Sequence, residues 1–152
     1  MADLVAALGT HDDLMGAADC RPWDYERPPR PDAGNGEPAL PFAWAYEDQV
    51  AVEEWATELV MDRAPVTVEV AFRYSREALN LSLEREGRRL LGIVQAALTI
   101  DITRGGQAMD TAEQRNLIAE TPTPDVGVVV TEWLVTYPRD RTDPTRVVSA
   151  NS

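Results

Sequence analysis

At 152 residues, 44% hydrophobic and 26% charged, the chain has the size and composition of one globular core and lacks the profile of a disordered protein. A net charge of −12 disfavours binding of its average surface to a nucleic-acid backbone. No run approaches the roughly 20 apolar residues of a membrane helix, and a single cysteine, Cys20, rules out an internal disulfide.

The opening residues, MADLVAALGTHDDL, carry no basic leader, so synthesis and folding in a cytoplasm are expected. Leu4, Val5 and Leu8, then Leu14 and Met15 after the break at Gly9, predict a short amphipathic helix over 3–18, within an N-terminal unit 1–20. From 21 to 41 the chain is dense in Pro, Gly and charge, which predicts a loop or extended arm. Trp23 and Tyr25 would anchor that arm, on its own domain or on a neighbour. An α+β core over 42–138 follows. In PFAWAY, Phe42, Trp44 and Tyr46 alternate with Ala43 and Ala45, the period of a strand with one bulky face.

The segment 48–62 is ambiguous. Val52, Trp55, Ala56, Leu59 and Val60 fall at helical spacing and Asp48 offers a cap, although strands accept the same residues; the helical reading is preferred. In VTVEVAFRY, Val66, Val68, Val70, Phe72 and Tyr74 line one face of a strand, with Thr67, Glu69, Ala71 and Arg73 on the other. Ser75 is the expected cap of the longest helix, which ends near Leu98. Leu79, Leu83, Leu90, Val94, Ala97 and Leu98 form its apolar stripe, and Glu84, Arg85, Arg88 and Arg89 its wet side. Gly87 and Gly92 would permit close approach to the sheet. TIDIT (99–103) predicts a short strand, RGGQAMD (104–110) a turn, and TAEQRNLIAE (111–120) a helical turn or loop. TPTPD breaks the chain before VGVVVTEWLVTY, apolar on both faces and so a central strand or one facing another subunit. A polar tail over 139–152 closes the sequence. The fold class predicted is α+β, one long helix packed on a small mixed or antiparallel sheet, with an N-terminal helix and a Pro-rich arm.

Catalytic chemistry finds few parts. His11 is the only histidine and sits beside Asp12 and Asp13, where a capping or surface role is expected. Cys20 has no sequence neighbour that would lower its pKa. His/Cys metal sites fail by count, and the pairs Asp12–Asp13 and Glu53–Glu54 lack a ligand loop. Arg104-Gly105-Gly106-Gln107 lacks the Lys-Ser/Thr of a phosphate loop and reads as a hairpin turn. No catalytic residue, cofactor or metal is therefore expected. Arg88 and Arg89 read as a solvated helix face, with an interface role as the alternative. Trp44, Tyr46, Trp55, Trp133 and Tyr137 are the candidates for subunit contact, since Trp and Tyr are enriched at interface hot spots; core packing is the competing account. All 14 basic residues are arginine. That fits a GC-rich genome with a solvated acidic surface, or adaptation to high salt.

In order and spacing, PFAWAY, VTVEVAFRYS, REALNLSLEREGRRLLGIVQAAL and VGVVVTEWLVTYP resemble the tail terminator (tail completion) proteins of long-tailed viruses, across residues 41–138. The resemblance rests on a succession of elements, not on a signature motif. It implies a non-enzymatic virion protein forming a hexameric ring, assembled in the host cytoplasm and located at the head–tail junction. Its partners would be the tail tube protein and the head-side connector, with no membrane involved. DNA would pass an acidic lumen without sticking. Two alternatives stand beside it: a head–tail connector, stopper or adaptor, and a small acidic ligand-binding or enzymatic domain from a halophile.

Overall fold

The structure, a computed structural model, describes residues 1–20, 39–54, 59–78 and 81–140. The expected Pro-rich arm, apart from residues 39–41, and the tail beyond Asp140 lie outside them. The elements in chain order are α1 (Ala2–Gly9), β1 (Ala17–Asp19), β2 (Phe42–Glu47), β3 (Ala51–Glu54), β4 (Leu59–Arg73), α2 (Leu83–Thr99), β5 (Asp110–Glu120) and β6 (Val126–Asp140). The class is α+β. Six strands form one sheet in the order β1-β2-β4-β6-β5, with β3 beside β4; β1 and β2 run parallel and every other pair is antiparallel.

The sheet is built on β4 and β6, which pair along 15 residues each, from Leu59↔Asp140 to Arg73↔Val126. At about 3.3 Å per residue the pair is roughly 50 Å long. The alternation in β4 turns Val66, Val68, Val70 and Phe72 to one face, where β6 adds Val129, Trp133 and Val135. Both helices cover that face. Leu4 and Leu8 of α1 and Leu90, Val94 and Leu98 of α2 complete the main core. Close approach is bought at two glycines: a Cβ on Gly127 would lie 2.5 Å from Leu83 and 2.7 Å from Phe72, and one on Gly87 would lie 2.6 Å from Ile118. Gly92, expected to act likewise, faces open space.

Several sequence expectations are corrected. The helix expected over 3–18 ends at Gly9. Turn residues follow, and Ala17–Asp19 joins the sheet, held by Met15 N–H donating to Pro41 O at 2.7 Å and Ala43 N–H to Gly16 O at 3.1 Å. No helix forms where 48–62 is described: 48–50 belong to no element, and β3 and the start of β4 form an antiparallel pair. Its helical spacing is a coincidence of period, overridden by the pairing that β4 offers. Strands β2 and β3 are one bent strand, interrupted at residues 48–50 opposite Pro65. In an antiparallel ladder a residue's N–H and C=O point the same way. Pro65 O accepts from Asp48 N–H at 2.9 Å, so the donor that Pro65 lacks is missing on that same side.

The long helix begins at Leu83. Ser82, not Ser75, is its cap, accepting from Arg85 N–H at 3.4 Å, and Glu84 and Glu86 occupy the first turn, where the helix dipole favours them. Ser75 instead closes a turn: its hydroxyl accepts from Glu77 and Ala78 N–H, and its own N–H donates to Leu81 O at 2.8 Å. TIDIT forms no strand. Thr99 ends α2, and 101–107 are turn residues. TAEQRNLIAE is neither helix nor loop but most of β5, an edge strand with a bulge between Glu113 and Arg115. Its polar residues are tolerated because a sheet edge faces water, while the backbone groups of β6 on that side need partners. Strand β6 is central, as its two apolar faces imply, and it extends through Arg139 and Asp140 into the expected tail, where Arg139 pairs with Asp62 at 2.9 Å.

Candidate interaction surfaces

Alternation along the strands assigns each aromatic candidate to a face. Trp133 stands opposite Val66 on the helix-covered face, 1% exposed and inside the main core. Its indole N–H is buried with no hydrogen-bond partner among the described residues. Trp44 points the other way. It is 4% exposed and packs with Ala71, Val126 and Phe42, whose ring centroid lies 4.8 Å from its own. Buried rings offer nothing to a neighbour, so the expectation that Trp44 and Trp133 mediate subunit contact gives way to core packing. Tyr46 and Tyr137 are half-buried on opposite faces, opposite Thr67 and Asp62. Burial, reinforced by the carboxylates of Asp3 and Glu47, raises the Tyr137 phenol above its ordinary pKa. Trp55 lies outside the described residues. The four described candidates therefore form no single patch.

The second face of the sheet carries Phe42, Trp44 and Tyr46 from β2, Pro65, Thr67 and Ala71 from β4, and Val126, Val128, Val130 and Leu134 from β6. Neither helix packs against it: the hydrophobic cluster on this side draws on strands and on Leu40, and both helices belong to the other core.

The turn after α2 shows why Arg104-Gly105-Gly106-Gln107 is no anion loop. Asp101 already fills it, accepting from Thr103 N–H at 3.0 Å, Thr103 O–H at 2.6 Å and Gly105 N–H at 2.8 Å. These hydrogen bonds, led by that of the Thr103 hydroxyl, hold the Asp101 carboxyl below its usual pKa. Gly105 and Gly106 adopt positive φ, as the turn requires, and so does Arg104 at 48°. The turn joins a helix to a strand and is therefore not a hairpin. Arg104 itself is buried and donates through Nη2 to the carbonyls of Leu98 and Asp101, capping the C-terminus of α2, with Asp3 of α1 3.9 Å from its Nε.

His11 Nδ1 accepts from Asp13 N–H at 3.3 Å. Asp13 also lies 3.5 Å from Arg89, so this corner is occupied by its own ion pairs. Among the described residues, no group of three or more His, Cys, Asp or Glu side chains is placed to hold a metal, and no helix is long and apolar enough to cross a membrane.

What the sequence reading missed lies at the edges of the sheet. A groove of about 450 Å³ runs between α2 and β5, lined by Leu83, Leu91, Leu117 and Ile118 together with the polar Glu84, Arg88 and Asn116; Leu117 is 57% exposed. At the opposite edge Val50 and Val52 are exposed, Val52 at 61%. Reading 111–120 as a strand would have turned Leu117 and Ile118 to opposite sides and pointed to the groove. Arg88 pairs with Glu84 at 2.6 Å, and Arg89 with Glu86 at 2.5 Å, on the exposed helix surface.

No protein-family model matches the chain, and no curated protein matches it.

Proposed function

We propose that the protein is a virion structural subunit, a tail terminator that caps the tail tube and joins it to the head-side connector. The observation that carries this reading is the succession of elements. PFAWAY, VTVEVAFRY and VGVVVTEWLVTY fall in the strands β2, β4 and β6 of one sheet, and the later part of the Leu-rich stretch, from Leu83, is the helix packed on them. That is the succession on which the resemblance rests. The two-sidedness of the sheet adds support, with both helices on one face and a separate buried cluster on the other. A capping ring needs several distinct surfaces on each protomer, for two ring neighbours, the tube and the connector. A sheet whose two faces differ suits contacts of more than one kind. The charge of −12 fits a channel past which DNA must slide, since a surface of that sign gains nothing from phosphates.

A virus lacking this protein tests the reading. Uncapped tubes keep growing, so abnormally long tails are expected in electron micrographs. Detached tails of normal length would instead identify a connector or stopper.

A further inference from the structure

We propose that residues 21–38 cross the second face of the sheet and cover the cluster around Trp44, so that a neighbour approaching from that side meets this segment and not the strands. The inference stands on the sheet alone and does not depend on the terminator reading.

The route follows from handedness. Strands β1 and β2 are adjacent and parallel, with Ala17 beside Ala43 and Asp19 beside Ala45, so the chain between them must return along the pair before it re-enters the sheet. Crossovers of this kind are right-handed in about 98% of cases. The sheet contains a second crossover whose face is known. Strands β4 and β5 both pair antiparallel with β6 and are therefore parallel, and α2, which joins them, packs on the helix-covered face. In the order β1-β2-β4-β6-β5 both connections step in the same lateral direction, from β1 to β2 and from β4 to β5. Their strands point opposite ways, because β2 runs antiparallel to β4. Reversing the strands at a fixed lateral step reverses the hand unless the connection changes face. With α2 on the helix-covered face, a right-handed β1–β2 connection passes over the second. The first is already taken at that edge, where Leu4 and Leu8 of α1 share the main core with Ala43 and Ala45.

Burial points to the same occupant. Trp44 is 4% exposed, and Ala71 and Val126 are 0% exposed. The described residues around that ring are Ala18, Leu40, Phe42, Ala71 and Val126, all from the strands or, for Leu40, from just before one. Side chains flanking a tryptophan on the sheet leave its outer surface wet, and a layer above the ring is needed to dry it. Glu69, opposite Trp44 in register, has one carboxylate oxygen shielded from water as well. Both ends of the segment lie at this spot: Ala18 precedes it, Leu40 follows it, and both pack on the cluster. Its Trp23 and Tyr25 supply the aromatic surface that suits a neighbouring ring.

Photo-cross-linking in the full-length chain tests this. Tyr46 lies two residues from Trp44 on the same face and is half-buried, so p-benzoylphenylalanine in its place leaves the core intact. After irradiation and proteolysis, mass spectrometry is expected to find adducts within one chain to residues 21–38, in a yield independent of protein concentration. Adducts between chains, or none to 21–38, would overturn the proposal. A second measurement reads Trp44 itself, in protein labelled with fluorotryptophan and assigned by Trp44→Phe. Its fluorine resonance is expected not to shift between light and heavy water. Replacing 21–38 by a Gly-Ser segment of equal length should bring that solvent shift to Trp44 and not to Trp133. A Trp44 that stays shielded in the replaced chain would contradict the proposal, while tail length in the deleted virus decides the terminator reading separately.

Discussion

Gly87 and Gly92 are five positions apart on α2 and have opposite physical meanings. At Gly87 a methyl group would meet Ile118 Cγ2 at 2.6 Å and Cδ1 at 3.2 Å, a branched side chain that cannot swing away cheaply. Overpacking of this kind costs about 1–3 kcal/mol, more than the ~1 kcal/mol that alanine returns in helix propensity. Gly92 has nothing within 4 Å, so only the propensity term remains. Gly87→Ala is accordingly expected to lower the urea midpoint and Gly92→Ala to raise it, the latter by about 0.5–1 kcal/mol in stability. Equal effects at the two sites would mean that α2 does not lie on β5 as described. The aromatic residues carry the same lesson in another form. The period of PFAWAY marks a bulky and a small face, but only the sheet register decides which of them meets the helices. Here Ala43 and Ala45 do, and Trp44 turns away.

At the scale of elements, the turn that ends α2 depends on one side chain. Arg104 donates to the carbonyl of Leu98 in the last turn of α2 and to that of Asp101 in the turn beyond it, and brings its charge towards Asp3 of α1. Arg104→Met keeps the length and removes the donors, so a loss of about 1–3 kcal/mol is expected, chiefly from the buried Leu98 carbonyl. Arg85→Met, on the exposed face of α2, should change stability by less than about 0.5 kcal/mol. Thermal or urea unfolding of the two variants distinguishes capping from a general loss of charge. Elements with a strong period were legible in the sequence: the valine alternation of β4, the apolar run of β6 and the Leu90–Val94–Leu98 stripe of α2. Those set by their neighbours were not. Strand β5 shows mostly polar residues because it is an edge, and β3 follows from pairing with β4. The start of α2 was misread because Ser75 and Ser82 are both plausible caps, and the turn closed by Ser75 lies between them. The groove was illegible for the reason β5 was, since it exists only where a helix lies against an edge strand.

For the whole molecule, 26 acidic residues against 14 arginines produce self-repulsion that salt relieves. Screening alone is nearly complete by about 1 M, where the Debye length is only ~3 Å. A gain in melting temperature that continues well beyond 1 M KCl would therefore mark a surface adapted to high salt. A plateau below that concentration marks ordinary screening of an acidic chain. Either outcome is compatible with the proposed assignment as a tail terminator. The most direct measurement of that assignment uses tail tubes assembled from purified tube protein, with their lengths scored by electron microscopy as this protein is added. The account predicts shorter tubes, each carrying a ring of density at one end. An unchanged length distribution with bare ends would contradict it.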